Sequence, residues 1–261
     1  MKRISAKDNQ LIKHISKLLK SSKYRFENRE FVAEGVRLCE DAFISDCDII
    51  SLVVSDSACE RYSDTVEKLS AKAQSSYVIP DSLFSRISDT KNPQGVLCVI
   101  KALDNPTLFD KIKCNGKFLA LDNIQDPSNL GTILRTAEAV GIDGVILSSE
   151  CCDIYSPKVV RGSMGAVFRL QYLITDTIAD FLNENDELES FAAVVSPDAE
   201  KLTDIDFKAK TTCVVVGNEA NGLKQSTIDA CSSAFTIPMN GRAESLNASV
   251  AAGIIMWEMV K

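Results

Sequence analysis

The stretch LDNIQDPSNLGTILRTAEAVGIDGVIL, Leu121 to Leu147, constrains the fold more than any other part of this 261-residue chain. It reads as a strand, a loop, a helix and a second strand. Leu130, Ile133, Leu134, Ala137 and Val140 recur at helical spacing and form one apolar stripe. Asp126, Ser128 and Asn129 before them are helix-capping types, and Gly141 just after suits a left-handed terminal cap. A strand, a helix and a strand in so short a span make a parallel crossover, the repeating unit of an α/β sheet. The loop holds neither G-x-G-x-x-G nor a lysine, so it lacks the phosphate-binding fingerprint of dinucleotide and triphosphate folds. Arg135 sits off the apolar stripe. Taken alone, it is either a solvated side chain or one that points toward a cleft.

Similar patterning continues on both sides. Asp8–Lys20 reads as a basic helix and FVAEGVRLCEDAF, Phe31 to Phe43, as a second helix. DIISLVVSD, YVIP and GVLCVIK read as strands, SACERYSDTVEKLSAKAQ as helical, and DSLFSRISDT as a short helix capped by Asp81 or Ser82. This alternation implies an α/β unit with its own sheet. ALDNPTLFDKIKCNGK then loses strand periodicity and carries Asn-Pro and Asn-Gly turn signals. The expected layout is a first domain over 1–103, a linker over 104–116 and a second domain over 117–261. In the second, FLALDNI, GVILS, FAAVVS, TTCVVVGNE and AFTIPM are continuous apolar runs, which suit a mostly parallel sheet covered on both faces. A final helix, SLNASVAAGIIMWEMVK, is expected to begin near Ser245.

Composition narrows the function classes. Hydrophobic residues make up 45% and charged residues 25% of the chain, the balance of a globular protein. No apolar run reaches the roughly 18–20 residues of a membrane span, and the N-terminus lacks a signal-peptide core. No membrane association is expected, and the expected location is the cytoplasm. Nine cysteines without C-x-x-C spacing point to reduced thiols. The single histidine, His14, is expected to be a solvated helix residue. One histidine argues against a Ser-His-Asp hydrolase and a His-based zinc site, and no metal is expected. Net charge is −7, yet residues 1–40 hold ten Lys/Arg against five Asp/Glu. A basic segment on an acidic body suits either localised phosphate contact or a solvated helix face.

Two later stretches carry further chemistry. In CVVVGNEANGL, Cys213 to Leu223, an apolar strand runs into Gly217-Asn218-Glu219 at the carboxyl end, where parallel sheets bind ligands. In TIPMNGRAESLNASVAAGI, Thr236 to Ile254, a strand ends at Ile237-Pro238 and a helix rich in small residues follows. Each stretch alone fits ordinary packing. Together, the order N-L-G-x-x-x-R, V-G-N-E-x-x-G-L and I-P-M-x-G-x-x-E-S-L-N-x-S-V-A resembles the three motifs of the SpoU/TrmH branch of the SPOUT RNA methyltransferases. VRGSMGAVFRL, Val160 to Leu170, matches a further segment of that family. FVAEGVRLCEDAF and NPQGVLCVIK resemble the substrate-binding domain that precedes the catalytic domain in several members.

The resemblance implies an α/β fold: a C-terminal SPOUT domain with a deep trefoil knot, preceded by a smaller domain similar to RNA-binding ribosomal proteins. It implies transfer of a methyl group from S-adenosylmethionine to a ribose 2′-hydroxyl of ribosomal RNA, with a guanosine of 23S rRNA as first choice. This cofactor has no phosphate, which accounts for the missing cradle. Asn129 and Arg135 match the family's catalytic pair, with Glu219, Ser245 and Asn247 completing the site. Gly217, Ile237, Met239, Leu246, Asn247 and Ser249 fall at or near cofactor positions. Arg25, Arg29, Arg37 and Lys91, with Arg161, are the RNA-binding candidates. The family is dimeric, and the small-sided helix after Ser245 is a candidate for the homodimer contact. Competing readings are a transfer RNA guanosine methyltransferase and a non-catalytic RNA-binding assembly factor.

Overall fold

The computed structural model describes residues 1–103, 116–208 and 210–261, so all but Gly116 of the expected linker lies outside the described residues. Contacts divide the chain into two units. The first holds β1 (Lys2–Arg3), α1 (Gln10–Lys20), α2 (Ser22–Asn28), β2 (Glu30–Glu34), α3 (Val36–Ile44), β3 (Ile49–Ser55), α4 (Asp56–Arg61), α5 (Ser63–Lys72), β4 (Ser75–Ile79), α6 (Asp81–Ile87) and β5 (Val96–Lys101). Its sheet runs β1-β4-β3-β5-β2, parallel across the first three strands and antiparallel at β5. The apolar face of α1, Ile12, Ile15, Leu18 and Leu19, packs into a core with Val32, Val53, Leu97 and Val99.

Several expectations for this unit need correction. Phe31–Phe43 is not one helix. Phe31, Val32 and Ala33 form a buried strand paired with Ile100, Val99 and Cys98, and Gly35 at φ 106 breaks the chain before α3. A strand buried on both faces shows no alternation, so its apolar run merged with the helical pattern that follows. Neither Asp81 nor Ser82 caps α6. Pro80 holds that position, and Asp81 Oδ1 instead accepts a hydrogen bond from Ser57 Oγ at 2.5 Å. His14 is half-buried rather than solvated: Nε2 lies 2.6 Å from Glu30 Oε2 and Nδ1 3.0 Å from Tyr24 Oη. It ties α1 to the two elements that follow.

The second unit begins with β6 (Lys117–Leu121), α7 (Pro127–Val140) and β7 (Gly144–Ser148). Next come α8 (Pro157–Gly162) and α9 (Ala166–Arg169), but Tyr155–Phe168 groups with the first unit. There α8 packs on β2, and the Phe31 ring stacks on Tyr155 with centroids 4.5 Å apart. The second unit resumes with β8 (Tyr172–Thr175), α10 (Ile178–Glu184), β9 (Glu189–Ala193), β10 (Glu200–Lys201), β11 (Thr212–Val216), α11 (Gln225–Ala230), β12 (Ser233–Thr236) and α12 (Ala248–Val260).

All seven strands of this sheet are parallel, in the order β10-β12-β9-β11-β6-β7-β8. Every residue of β7 and β11 is buried, as continuous apolar runs require when helices cover both faces. Ile178, Phe181 and Leu182 of α10 close one face over Phe118, Ala120, Ile146 and Val215. α7 packs against α12. Asp126 caps α7, its Oδ1 accepting from the Ser128 N–H at 2.7 Å, and Gly141 takes the left-handed cap at φ 83. α12 starts at Ala248 rather than Ser245, because the Asn247 side chain accepts from the N–H groups of Ser249 and Val250. Among the described residues no helix is long and apolar enough to cross a membrane.

Candidate active site

Leu121 and Val216 are register partners at the carboxyl ends of the adjacent strands β6 and β11. The loops that follow therefore leave the sheet side by side, and each carries one motif. Glu219 from the second loop accepts a hydrogen bond from Asn129 Nδ2 at 2.9 Å. The backbone N–H groups of Asp126 and Gln125 reach the same carboxylate at 3.3 and 3.4 Å. On its other side, Asn129 Oδ1 accepts from Asn247 Nδ2 at 3.0 Å. One buried amide thus joins all three motifs. Partial burial pushes the Glu219 carboxyl up, but the Asn129 amide and the surrounding N–H groups outweigh it and hold it below the usual glutamate value.

The second loop is folded back tightly. Asn218 and Gly222 exchange two backbone hydrogen bonds, both 3.0 Å. Gly217 lies so close under this turn that an added Cβ would stand 2.5 Å from the Gly222 carbonyl carbon. No side chain fits there. Asn218, which sequence reasoning passed over, fixes the arrangement. Its Nδ2 donates to the Asn123 carbonyl at 2.8 Å, and its Oδ1 accepts from the N–H groups of Ala220 and Asn221. Asp122, also missed, is buried and accepts from Thr227 Oγ1 at 2.8 Å. Its only sequence signal was a carboxylate at the end of an apolar strand.

Beside the Asn129 junction lies a cavity of about 500 Å³ lined by Gly217, Ile237, Met239, Ser245 and Leu246. Of the six expected cofactor residues, Asn247 and Ser249 are not in the lining. Ser249 Oγ donates to Asn247 Oδ1 at 2.6 Å, so both serve the first turn of α12. Two carboxylates, Glu219 and Glu244, face the cavity, and among the described residues no lysine or arginine does. Arg135 is exposed on α7, outside this lining, and its side chain has no ion-pair or hydrogen-bond partner among the described residues. Among the described residues no His, Cys, Asp and Glu cluster is arranged to hold a metal.

The five RNA-binding candidates separate. Arg25 is buried and its guanidinium donates to the Leu18 carbonyl, so the fold uses it to close the end of α1 rather than presenting it at the surface. Arg29, Arg37 and Lys91 are exposed. Arg161 is half-buried, with Nη2 2.7 Å from Asp89 Oδ2.

The model of the SpoU rRNA Methylase family matches residues 116–257, more than half of the chain. The chain belongs to the SpoU rRNA methylase family. The model of the MRM3-like substrate binding domain matches residues 9–98 ahead of the SpoU region. The chain is 28% identical over 99% of both sequences to 23S rRNA (guanosine(2553)-2′-O)-methyltransferase RlmP of Bacillus subtilis. Among solved structures it is similar to the AdoMet-bound rRNA methyltransferase from Sinorhizobium meliloti, with TM-score 0.89 and 31% identity over 99% of this chain and 97% of that one. It also resembles the SpoU methyltransferase AviRb from Streptomyces viridochromogenes in complex with AdoMet, with TM-score 0.86 and 25% identity over 97% of each.

Proposed function

We propose that this chain methylates a ribose 2′-hydroxyl of ribosomal RNA, with S-adenosylmethionine as donor and a guanosine of 23S rRNA as target. The observation that carries this reading is the meeting of three motifs at Asn129, beside a cavity to which the described residues bring no lysine or arginine. A phosphate-bearing cofactor needs basic groups or a helix N-terminus to neutralise it. Here Glu219 and Glu244 face the space instead, and negative charge suits a cofactor that carries a sulfonium and an ammonium group. Bound there, S-adenosylmethionine supplies a methyl group on positively charged sulfur. Gly217, Ile237, Met239 and Leu246 would hold it, largely through backbone groups, while Asn247 and Ser249 keep the start of α12 in place.

The chain's own residues have to align the ribose oxygen and manage its charge. Alignment of this kind lowers barriers by about 7–11 kcal/mol in favourable cases. Arg135 stays protonated at any working pH and is a poor proton acceptor. We assign it to clamp an RNA phosphate and stabilise charge developing on the 2′-oxygen. Glu219, anionic and engaged by Asn129 and backbone N–H groups, positions Asn129 rather than taking the proton. Ser245, at the cavity wall, completes the site. The hydroxyl proton passes to an RNA phosphate or to water.

The reading includes a homodimer. α12 exposes Val250, Ile254 and Trp257, the last at 61%, although a helix apolar on every face is normally a buried one. It also includes a trefoil knot in the second unit, a cytoplasmic location, and RNA contact by the first unit through Arg29, Arg37, Lys91 and Arg161. The match to a substrate-binding domain supports that last point. Mapping 2′-O-methylation in ribosomal and transfer RNA, from cells with and without the protein, tests the whole. Loss of one 23S mark is expected. Loss of a transfer RNA mark would select that substrate instead, and no lost mark with no calorimetric binding of S-adenosylmethionine would select an assembly factor.

A further inference from the structure

A separate cavity of about 410 Å³ lies within the first unit, with Gly35, Arg37, Leu38, Gln94, Arg161 and Met164 in its wall. We infer that it holds one unpaired nucleotide of the RNA substrate, with the phosphate on Arg37 and Arg161 and the base against Leu38 and Met164. The inference rests on the RNA methyltransferase reading and adds a second contact point to it. Sequence-specific RNA recognition targets unstacked bases of this kind, held by a side-chain surface and by groups at their edges.

Four features of the wall point to that ligand. Arg37 is exposed and has no ion-pair partner among the described residues. Arg161 spends Nη2 on Asp89, which leaves Nη1 buried without any hydrogen bond, a donor that an incoming oxygen would satisfy. The first turn of α3 opens on the same space. Its cap residue Gly35 has no side chain to offer, so the positive end of that helix adds to the two guanidinium groups. Finally, Met164 is 38% exposed at φ 51. A non-glycine residue in the left-handed region carries backbone strain, and here that strain presents a large apolar side chain to the cavity rather than to the core.

Two acidic residues, Glu34 and Asp41, also line the wall and are matched in number by Arg37 and Arg161. Glu34 does not oppose an anion strongly. Its carboxylate accepts from Ser88 Oγ, from Thr90 Oγ1 at 2.7 Å and from the Asp89 N–H at 2.9 Å. Gln94 uses its oxygen on the Val36 N–H at 2.9 Å, which leaves its amide NH₂ to meet an acceptor on a base edge. The volume falls in the range of small-ligand sites, roughly 300–1,000 Å³.

The test is the equilibrium affinity of the full chain for a fluorescein-labelled fragment of 23S ribosomal RNA that it methylates, measured across salt concentrations. Arg37→Ala should weaken binding about tenfold and reduce the salt slope by roughly 0.7, the signature of one lost single-strand phosphate contact. Met164→Ala should weaken binding about fivefold with the wild-type salt slope, because the lost contact is to a base. Both side chains are exposed, and unchanged thermal unfolding midpoints would verify that the variants are folded. Wild-type affinity in Met164→Ala overturns the nucleotide site, even if Arg37→Ala binds less tightly as any surface cation might. Methyl transfer by the wild-type chain stands as a separate readout: if it occurs while both variants bind normally, only the cavity assignment fails. If no methyl transfer to any ribosomal RNA is found, the underlying reading fails with it.

Discussion

The side-chain amide of Asn247 donates to Asn129 Oδ1 at 3.0 Å, across 118 positions of sequence. The residue that caps the C-terminal helix therefore also fixes the orientation of the first motif. Asn129→Ala removes this bond and the one to Glu219 together. Methyl transfer is expected to fall about 100-fold or more, near 3 kcal/mol, and stability by about 1–2 kcal/mol. Incorporation of labelled methyl groups and denaturant unfolding read the two effects. Asn129→Asp should be worse, since it sets a second carboxylate about where the amide now stands 2.9 Å from Glu219.

Arg135 is exposed and outside the cavity lining. Arg135→Ala is expected to abolish methyl transfer and leave calorimetric affinity for S-adenosylmethionine nearly intact. Arg135→Lys should also fail, because an ammonium group cannot reproduce a planar fork on a phosphate. Parallel loss of cofactor affinity would assign the residue a structural part instead.

Gly217→Ala places a methyl group 2.5 Å from the backbone of Gly222. Backbone on both sides of the turn cannot yield as a flexible side chain would. Overpacking of this kind costs about 1–3 kcal/mol, and the turn that walls the cavity must shift. Calorimetry should show cofactor affinity reduced at least tenfold, with a lowered unfolding midpoint.

Trp257 is 61% exposed on α12. If that face forms the homodimer contact, Trp257→Glu buries a charge there and should yield monomers in sedimentation at micromolar concentration. A wild-type chain that already sediments as a monomer would remove this part of the reading.

The Glu219 carboxyl titrates below its ordinary value of 4.5. A lowered folded value means its contribution to stability is complete above the unfolded value and disappears as pH falls through the folded one. Unfolding measurements on wild type and Glu219→Gln should therefore diverge at pH 7, remain apart at pH 5, and converge only in more acidic solution. Methyl transfer should show no inflection between pH 5 and 7 that Glu219→Gln abolishes.

Much of the second unit was legible because its strands are buried on both faces and its helices are amphipathic. β7 and β11 each stand out as short apolar runs, and α7 carries its cap, its stripe and its terminal glycine in one segment. β2 was not legible for the same physical reason that β11 was. Its apolar run is only Phe31–Ala33 between two glutamates, a helix follows after a single glycine, and the periodicities fuse. The placement of Tyr155–Phe168 was also hidden, since nothing local tells which core Tyr155 and Phe168 will enter. Single residues of the site followed the motifs, whereas their bonding did not. Asn218 reads as a connecting residue in sequence and Asn247 as a catalytic or cofactor position, and only the folded loops reveal both as anchors.

β11 lies between β9 and β6, so the strand that opens the second unit waits for a partner made nearly one hundred residues later. Asn247 comes later still, 31 residues after Val216. A chain emerging during synthesis thus holds the first motif long before the residues that orient it. Pairing over such separations is slow to form. The site cannot assemble before α12 has been made, so a protein that acts on ribosomal RNA stays inert toward it through most of its own synthesis.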